Sequence, residues 1–398
     1  MSNQANTSVN TSATTKAEVK ADNGKLITLR TPGQRPPSFD ESTNRRQKAR
    51  AAGMNPDYWY AVEWDKNVKP GQVQEVVFWK QSIALFRSED GQISAIENRC
   101  LHRQLKLSLG QVKGCNLVCP YHGWEFDTDG KCAHIPHDLF GAKMPEFKLR
   151  KYPTQVRYGL IWIFPGDVKL ASERKLPEIP ELEGGGADGT KWGAIPIDAT
   201  WSAHHSMIID NVSDFSHAYL HRKYKPFDDA KLTRLESKGD TVELEYDTVV
   251  GGGGITAWFV NRNTSAANHI TLGYEYPYQR SNTDNRIKHW CFVLPIDEQT
   301  TRAIFIFYFH KDLLSIPGLP WLKLPQSFIN KVILPLAKKI QVGPLIDEDK
   351  LAVEAEQEGY NRHFDQPIAE MNPAVHQFQA LTIRKWEEYL QKNPSGQI

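Results

Sequence analysis

The chain changes its pattern of hydrophobic and polar positions several times. Residues 1–50, beginning MSNQANTSVNTSATTKAEVKADNG, are rich in Ser, Thr, Asn and Ala without apolar periodicity, and read as a flexible tail. From NPDYWYAVEW (55–64) the character shifts. The stretch EVVFWKQSIALFRSEDGQISAIENRC (75–100) reads as short strands joined through a turn at Glu89-Asp90-Gly91. This mostly β unit closes where the apolar run Leu160–Phe164 meets Pro165-Gly166, giving a first domain over 55–166. After the loop-like LPEIPELEGGGADGT comes a helix-compatible segment, HHSMIIDNVSDFSHAYLHRKY (204–224). Four runs then carry β-branched and aromatic residues suited to a sizeable sheet: TVELEYDTVV, HITLGYEY, HWCFVLPI and RAIFIFYFH. The chain ends helically, with Asn372 as N-cap, Pro373 at the first helical position, and Val375, Phe378, Leu381 and Trp386 as its buried stripe. The expected class is α+β, an all-β domain followed by a larger α+β domain over 167–398.

Charge changes this picture little. Lys plus Arg number 48 against 47 Asp plus Glu, so no global field favours nucleic acid. Five cysteines are too few and odd in number for a disulfide framework, and no apolar leader follows Met1, so a reducing, cytoplasmic setting is expected. No apolar run reaches the roughly 18 residues of a membrane-spanning helix.

The candidate chemistry begins in CLHRQLKLSLGQVKGCNLVCPYHGW (100–124). Cys100 and His102 form a CxH pair, Cys119 and His122 a CxxH pair, and two such tight loops facing one another can share a metal centre. Zinc accepts two Cys and two His, but its usual fingers keep like ligands together. A Rieske [2Fe-2S] centre instead has two Cys on one iron and two His on the other, matching one thiol and one imidazole per loop. Arg103, Tyr121 and Trp124 are candidates to surround the centre and tune it, while Cys115, Cys132 and Cys291 fall outside the pattern and read as inert thiols.

A second constellation lies downstream. His217 and His221 stand four positions apart, so on a helix they share one face, with Asp214 three residues earlier on the same side. Such a pair is either a satisfied core pair or two ligands of a metal ion. Two imidazoles and one carboxylate make the facial triad of non-heme Fe(II), and IDEDKLAVEAEQE (346–358) offers that carboxylate in Asp349, five residues before Glu354; Asp347 precedes the same helix. His204 and His205 receive no role.

The CxH and CxxH loops, followed by Asn-x-x-Asp-x-x-His-x-x-x-His and then Asp-x4-Glu, resemble the α subunits of Rieske-type non-heme iron oxygenases that hydroxylate aromatic rings, over residues 55–390. The three-residue gap between the histidines is similar to that of the carbazole dioxygenase oxygenase component, where most members have a longer one. The resemblance implies a helix-grip catalytic domain, a [2Fe-2S] cluster held by Cys100, His102, Cys119 and His122, and a mononuclear Fe(II) on His217, His221 and Asp349. It implies that Asn211 lies near the iron, and that Asp214 meets a cluster histidine, most plausibly His122, of the neighbouring subunit in a homotrimer. It further implies a terminal oxygenase that uses O2 and externally supplied electrons to mono- or dioxygenate, or oxidatively demethylate, a hydrophobic cyclic or isoprenoid substrate. A Rieske electron carrier without oxygenase activity is the alternative.

No nicotinamide or flavin fingerprint is present. The run Gly251–Gly254 lacks both the GxGxxG spacing and a P-loop Lys-Ser/Thr, so NAD(P)H acts only indirectly, through a separate ferredoxin or reductase. Residues 313–340 are strongly apolar, interrupted by Pro317, Pro320, Pro325 and Pro335 and by Lys323, Lys331, Lys338 and Lys339. They read either as a cover over the core or active site or as a segment resting on a membrane surface.

Overall fold

The computed structural model describes residues 18–20, 26–28, 35–137, 141, 143, 144, 146, 148–181, 192–250, 267–310, 325–394 and 396. Residues 1–36 and 37–398 are two separate compact units. Within the first, Glu18–Lys20 and Leu26–Thr28 pair antiparallel, with Glu18 opposite Thr28.

The expected tail ends earlier than residue 50. Helix α1, Arg45–Ala51, starts where the Asn44 side chain accepts the N–H of Gln47, and it buries Gln47, Ala49 and Arg50. A capping Asn and an inward-facing Arg gave no apolar periodicity for the sequence to show.

The N-terminal β unit is built from three small antiparallel sheets. Its turn at residues 89–91 forms as read, with Gly91 at φ +95, and the strand Leu160–Ile163 is buried along its whole length. Directly after it, a Cβ on Gly166 would lie 2.1 Å from Asp57 Oδ1, so only glycine permits the approach by which Asp57 accepts the N–H of Asp167.

The larger part is organised by a seven-stranded antiparallel sheet in the spatial order Trp192–Trp201, Thr300–His310, Ile287–Asp297, Tyr278–Thr283, Ala267–Glu275, Thr241–Val250, Phe227–Lys238. The four strands read from sequence are here; the two edge strands and the interior strand Tyr278–Thr283 are additions. Phe227–Lys238 is mostly exposed and therefore has little hydrophobic pattern. Alternation sends Trp290, Phe292, Ile304 and Ile306 to one face, against Trp59, Trp162 and Phe164 of the β unit. Cys291, Val293, Phe305 and Leu272 point the other way, into a core shared with helices α2 (His205–Ser213), α3 (Gly343–His363) and α4 (Pro373–Lys392). The α4 cap at Asn372 and the burial of Val375, Phe378, Leu381 and Trp386 follow the sequence reading.

The helical reading of 204–224 needs correction. Helix α2 stops at Ser213, and only a short 3-10 turn, His217–Tyr219, follows. Residues 326–342, by contrast, run helically into α3, with π turns at Ile329–Ile333 and Lys338–Val342 on either side of Leu334–Ala337. The wider turns accommodate Pro335, which has no N–H to give. Gly251–Gly254 and the first part of the apolar segment, residues 313–324, lie outside the described residues. Among the described residues no helix is long and apolar enough to cross a membrane.

Candidate metal centres

The two Cys/His loops close in the same way. Cys100 N–H donates to Leu105 and Gln104 N–H to the Cys100 carbonyl; Cys119 N–H donates to Trp124 and Gly123 N–H to the Cys119 carbonyl. Both turns use left-handed residues, Gln104 at φ +61 and Gly123 at φ +71. The thiols are each 2% exposed, packed among Ala84, Phe86, Leu107, Leu117 and Phe126. Burial pushes the Cys100 thiol up to about 11, and the adjacent Cys119 adds to the rise. A thiolate there therefore needs a cationic partner.

The imidazoles lie at the rim, His102 exposed, with the two Nδ1 atoms 3.1 Å apart. Trp124 stacks on His102 at 5.0 Å and 4°, and Tyr121, itself exposed, lies 3.9 Å from the His122 ring. Buried thiols beneath outward imidazoles are the donor set a [2Fe-2S] centre requires. Of the other cysteines, Cys291 is buried as expected, Cys132 is half-buried, and Cys115 is exposed beside Asp90.

On the helix side of the large sheet, His217, His221 and Asp349 place one ligand atom each within 4.8 Å of one another. Asp349 Oδ1 lies 3.2 Å from His221 Nε2 and 3.5 Å from His217 Nε2, and it accepts from Asn211 Nδ2 at 3.3 Å. Burial alone would raise the Asp349 carboxyl; hydrogen bonds and charge from the two histidines outweigh it and hold the carboxyl below its ordinary range. A cation at that point is thus what the buried carboxylate requires. Asp347, on the same helix, is exposed, and Glu354 turns to the N–H of Ser202.

Three features of this site go beyond the sequence expectations. Glu348 Oε2 lies 3.0 Å from His221 Nδ1, a carboxylate orienting the imidazole from behind. His289, on the interior strand Ile287–Asp297, contacts Ser281 Oγ at 2.7 Å and Gln279 Oε1 at 2.9 Å, while Gln279 Nε2 reaches the Val212 carbonyl at 3.4 Å. Burial holds His289 down to about 4, hence neutral. Lastly, buried Arg50 of α1 pairs with Asp210, the residue before Asn211, at 2.8 Å. His204 and His205 both reach the Ala52 carbonyl, at 3.0 and 2.8 Å, and serve the packing of α2.

Comparison with known proteins fits this geometry. Residues 58–148 match the Rieske [2Fe-2S] domain and residues 201–393 the vanillate O-demethylase oxygenase C-terminal domain. The 4beta-methylsterol monooxygenase of Methylococcus capsulatus is 46% identical over 349 residues, which cover 87% of this chain and 92% of that protein. The chain belongs to the Rieske oxygenases. A dicamba O-demethylase oxygenase component from Stenotrophomonas maltophilia is 35% identical over 44% of this chain and 47% of its own length. Chlorophyllide a oxygenase of Arabidopsis thaliana is 32% identical over 41% of the chain and 28% of its own length. In fold, this oxygenase is similar to dicamba monooxygenase bound to dicamba (TM-score 0.61, 19% identity, 86% of this chain and 100% of that one). It is equally similar to Pseudomonas putida CBB5 NdmA with caffeine (TM-score 0.61, 19% identity, 87% of this chain and 92% of that one).

This Rieske oxygenase therefore carries two cofactors, a [2Fe-2S] cluster and a mononuclear iron, and the donor sets above fit both. It is a terminal oxygenase whose electrons come from a ferredoxin or reductase partner. The oxygenase-type domain at 201–393 sets aside the reading as an electron carrier alone.

Proposed function

We propose that this oxygenase oxidises a methyl group on a fused-ring isoprenoid lipid of the methylsterol type. The observation that carries the reading is the 46% identity, across 87% of the chain, to a 4beta-methylsterol monooxygenase. The chemistry would be R–CH3 + O2 + 2e− + 2H+ giving R–CH2OH + H2O. Apolar rings beside the site support it: Phe215 and Phe227 pack at 4.7 Å with their rings tilted by 46°, Phe227 lies 5.2 Å from His217, and Phe307 lies 5.5 Å from His289.

In this reading the chain divides near residues 55–166 and 167–398. Cys100 and Cys119 hold one iron of the cluster, His102 and His122 the other, and His217, His221 and Asp349 hold the mononuclear iron. When bound, the cluster stores one electron at a time and the mononuclear iron activates O2. Asn211 fixes the Asp349 carboxylate through its amide, and Glu348 holds His221 in one orientation. Asp214 links the site to a cluster histidine, His122, of a neighbouring subunit, which makes the working assembly a homotrimer. A lipid substrate also places the enzyme at a membrane surface.

The test supplies the purified chain, a ferredoxin, a reductase and NAD(P)H with 4-methylsterols in detergent, and follows products by mass spectrometry. A hydroxymethyl product, about three irons per chain, and loss of both activity and one iron in His217→Ala are expected. Unchanged methylsterol in the presence of a fully loaded, reducible enzyme would overturn the substrate assignment.

A further inference from the structure

The helical run 326–342 exposes a row of large apolar side chains that packing leaves uncovered. Phe328, Val332 and Leu336 are 40%, 45% and 43% exposed and recur every four residues, so they form one ridge. The adjacent stripe, Ile329, Ile333 and Ala337, is buried. The helix is therefore apolar both on the side that serves the core and on a side that faces outward, an arrangement that calls for a second apolar contact.

Charge identifies that contact. From Leu313 to Ile346 the sequence contains no Asp or Glu and four lysines. Lys338 is bound to the Pro196 carbonyl at 2.6 Å, whereas Lys331 and Lys339 beside the ridge, also exposed, enter no ion pair among the described residues. Apolar side chains flanked by lysines, without acids, complement an anionic bilayer surface, the side chains entering the headgroup boundary while the ammonium groups meet phosphates. The ridge also runs on into α3, the helix that carries Asp349, with Leu336 13 residues before it in one continuous helical run.

We propose that Phe328, Val332 and Leu336, with Lys331 and Lys339, dock this oxygenase on an anionic lipid bilayer. The inference rests on the methylsterol reading only for its purpose, delivery of a lipid substrate; the surface itself is tested without substrate.

The experiment is co-sedimentation of the full-length, iron-loaded enzyme with sterol-free vesicles of phosphatidylcholine, alone or with about a third phosphatidylglycerol. Binding is expected on the anionic vesicles and should be weak on phosphatidylcholine alone. The triple variant F328S/V332S/L336S should lower the partition coefficient at least about tenfold. K331E/K339E should lower it on anionic vesicles by about fivefold or more per lysine. Both sets of positions are exposed, so the cluster spectrum and thermal midpoint should hold; if the triple variant does not fold, the lysine variant decides alone. Absence of vesicle binding, or variants that bind like the wild type, would overturn the proposal. So would a ridge variant that changes only the oligomeric mass, because the ridge would then be covered by a second copy. An enzyme that binds vesicles through the ridge yet leaves methylsterols untouched would retire the substrate reading and keep the surface.

Discussion

Replacing Arg50 by methionine should destabilise the protein and loosen the mononuclear iron site, although Arg50 lies outside both matched family domains. Its side chain is 4% exposed, and its Nη2 lies 2.8 Å from Asp210 and 3.0 Å from Glu356, with Nη1 2.7 Å from Ser206 Oγ. Without it, Asp210 keeps, among the described residues, only Gln379 Nε2, at 2.8 Å, as a side-chain partner. A buried carboxylate stripped of its cation costs about 3–5 kcal/mol. Glu356 is 47% exposed, so it rehydrates and adds little.

The sign of the pH dependence follows from Asp210. Burial raises its carboxyl to about 6 even with Arg50 beside it, and at neutral pH the 2.8 Å ion pair keeps it ionised. A carboxyl raised in the folded state contributes stability that is fully present below its unfolded value of about 3.9 and is lost as pH rises through the folded value. Arg50→Met raises the carboxyl further, so the variant's deficit should be largest at about pH 8 and should shrink by about half at about pH 5.5, where Asp210 binds a proton. Thermal unfolding at both pH values is the assay, with a midpoint drop of roughly 5–15 °C expected at the higher pH. Iron analysis should show the cluster retained and mononuclear iron reduced. A variant that melts with the wild type at the higher pH, or whose deficit grows on acidification, would refute the reasoning.

Other perturbations separate the remaining roles. Glu348→Ala removes the acceptor behind His221 and should weaken mononuclear iron retention about 10–100-fold in a chelator competition, leaving the reduced-cluster paramagnetic signal intact. His205 is held down to about 4 chiefly by burial, so its contribution to stability is present above about pH 6.5 and is lost as pH falls through the folded value. Replacing it with leucine leaves Ala52's carbonyl still bonded to His204, and should flatten the fall in thermal midpoint below about pH 6. Asp214→Asn keeps the acceptor for Ser216 N–H while removing the charge, so midpoint and iron content should hold as turnover falls. Asp214→Ala should additionally cost about 1 kcal/mol of local stability, seen as a lower midpoint.

The parts legible from sequence were those whose information is local. Cys100 with His102, and Cys119 with His122, sit on single loops whose spacing alone defines the donor set. Asp349 could be chosen over Asp347 by spacing, and the structure shows the corresponding physical difference, one buried and one exposed. What escaped is set by strand pairing or by long-range charge. His289 meets Ser281 because their strands are in register, His289 opposite Ser281, a relation with no trace in either segment alone. Arg50 escaped because an arginine in a polar stretch reads as solvated until Asp210, 160 positions away, is brought beside it. Glu348 did carry a signal, as one of three acids in IDEDK, but a single carboxylate was sought there.

The break after Ser213 changes what the motif can do. On an unbroken helix, Asp214 and His217 would share one face and compete for one site. Instead Asp214 adopts φ −105, ψ 100, and its own Oδ1 accepts the N–H of Ser216 at 2.8 Å, the local bond by which an Asp diverts backbone from a helix. His217 then opens a new turn directed at Asp349, while Asp214 remains half-buried, its carboxylate held by the Ser216 N–H. Asp214 thus stands three positions before a histidine of the buried site without joining that site. In the electron link proposed above, that separation would let the carboxylate meet an imidazole of another subunit without disturbing the backbone that fixes His217.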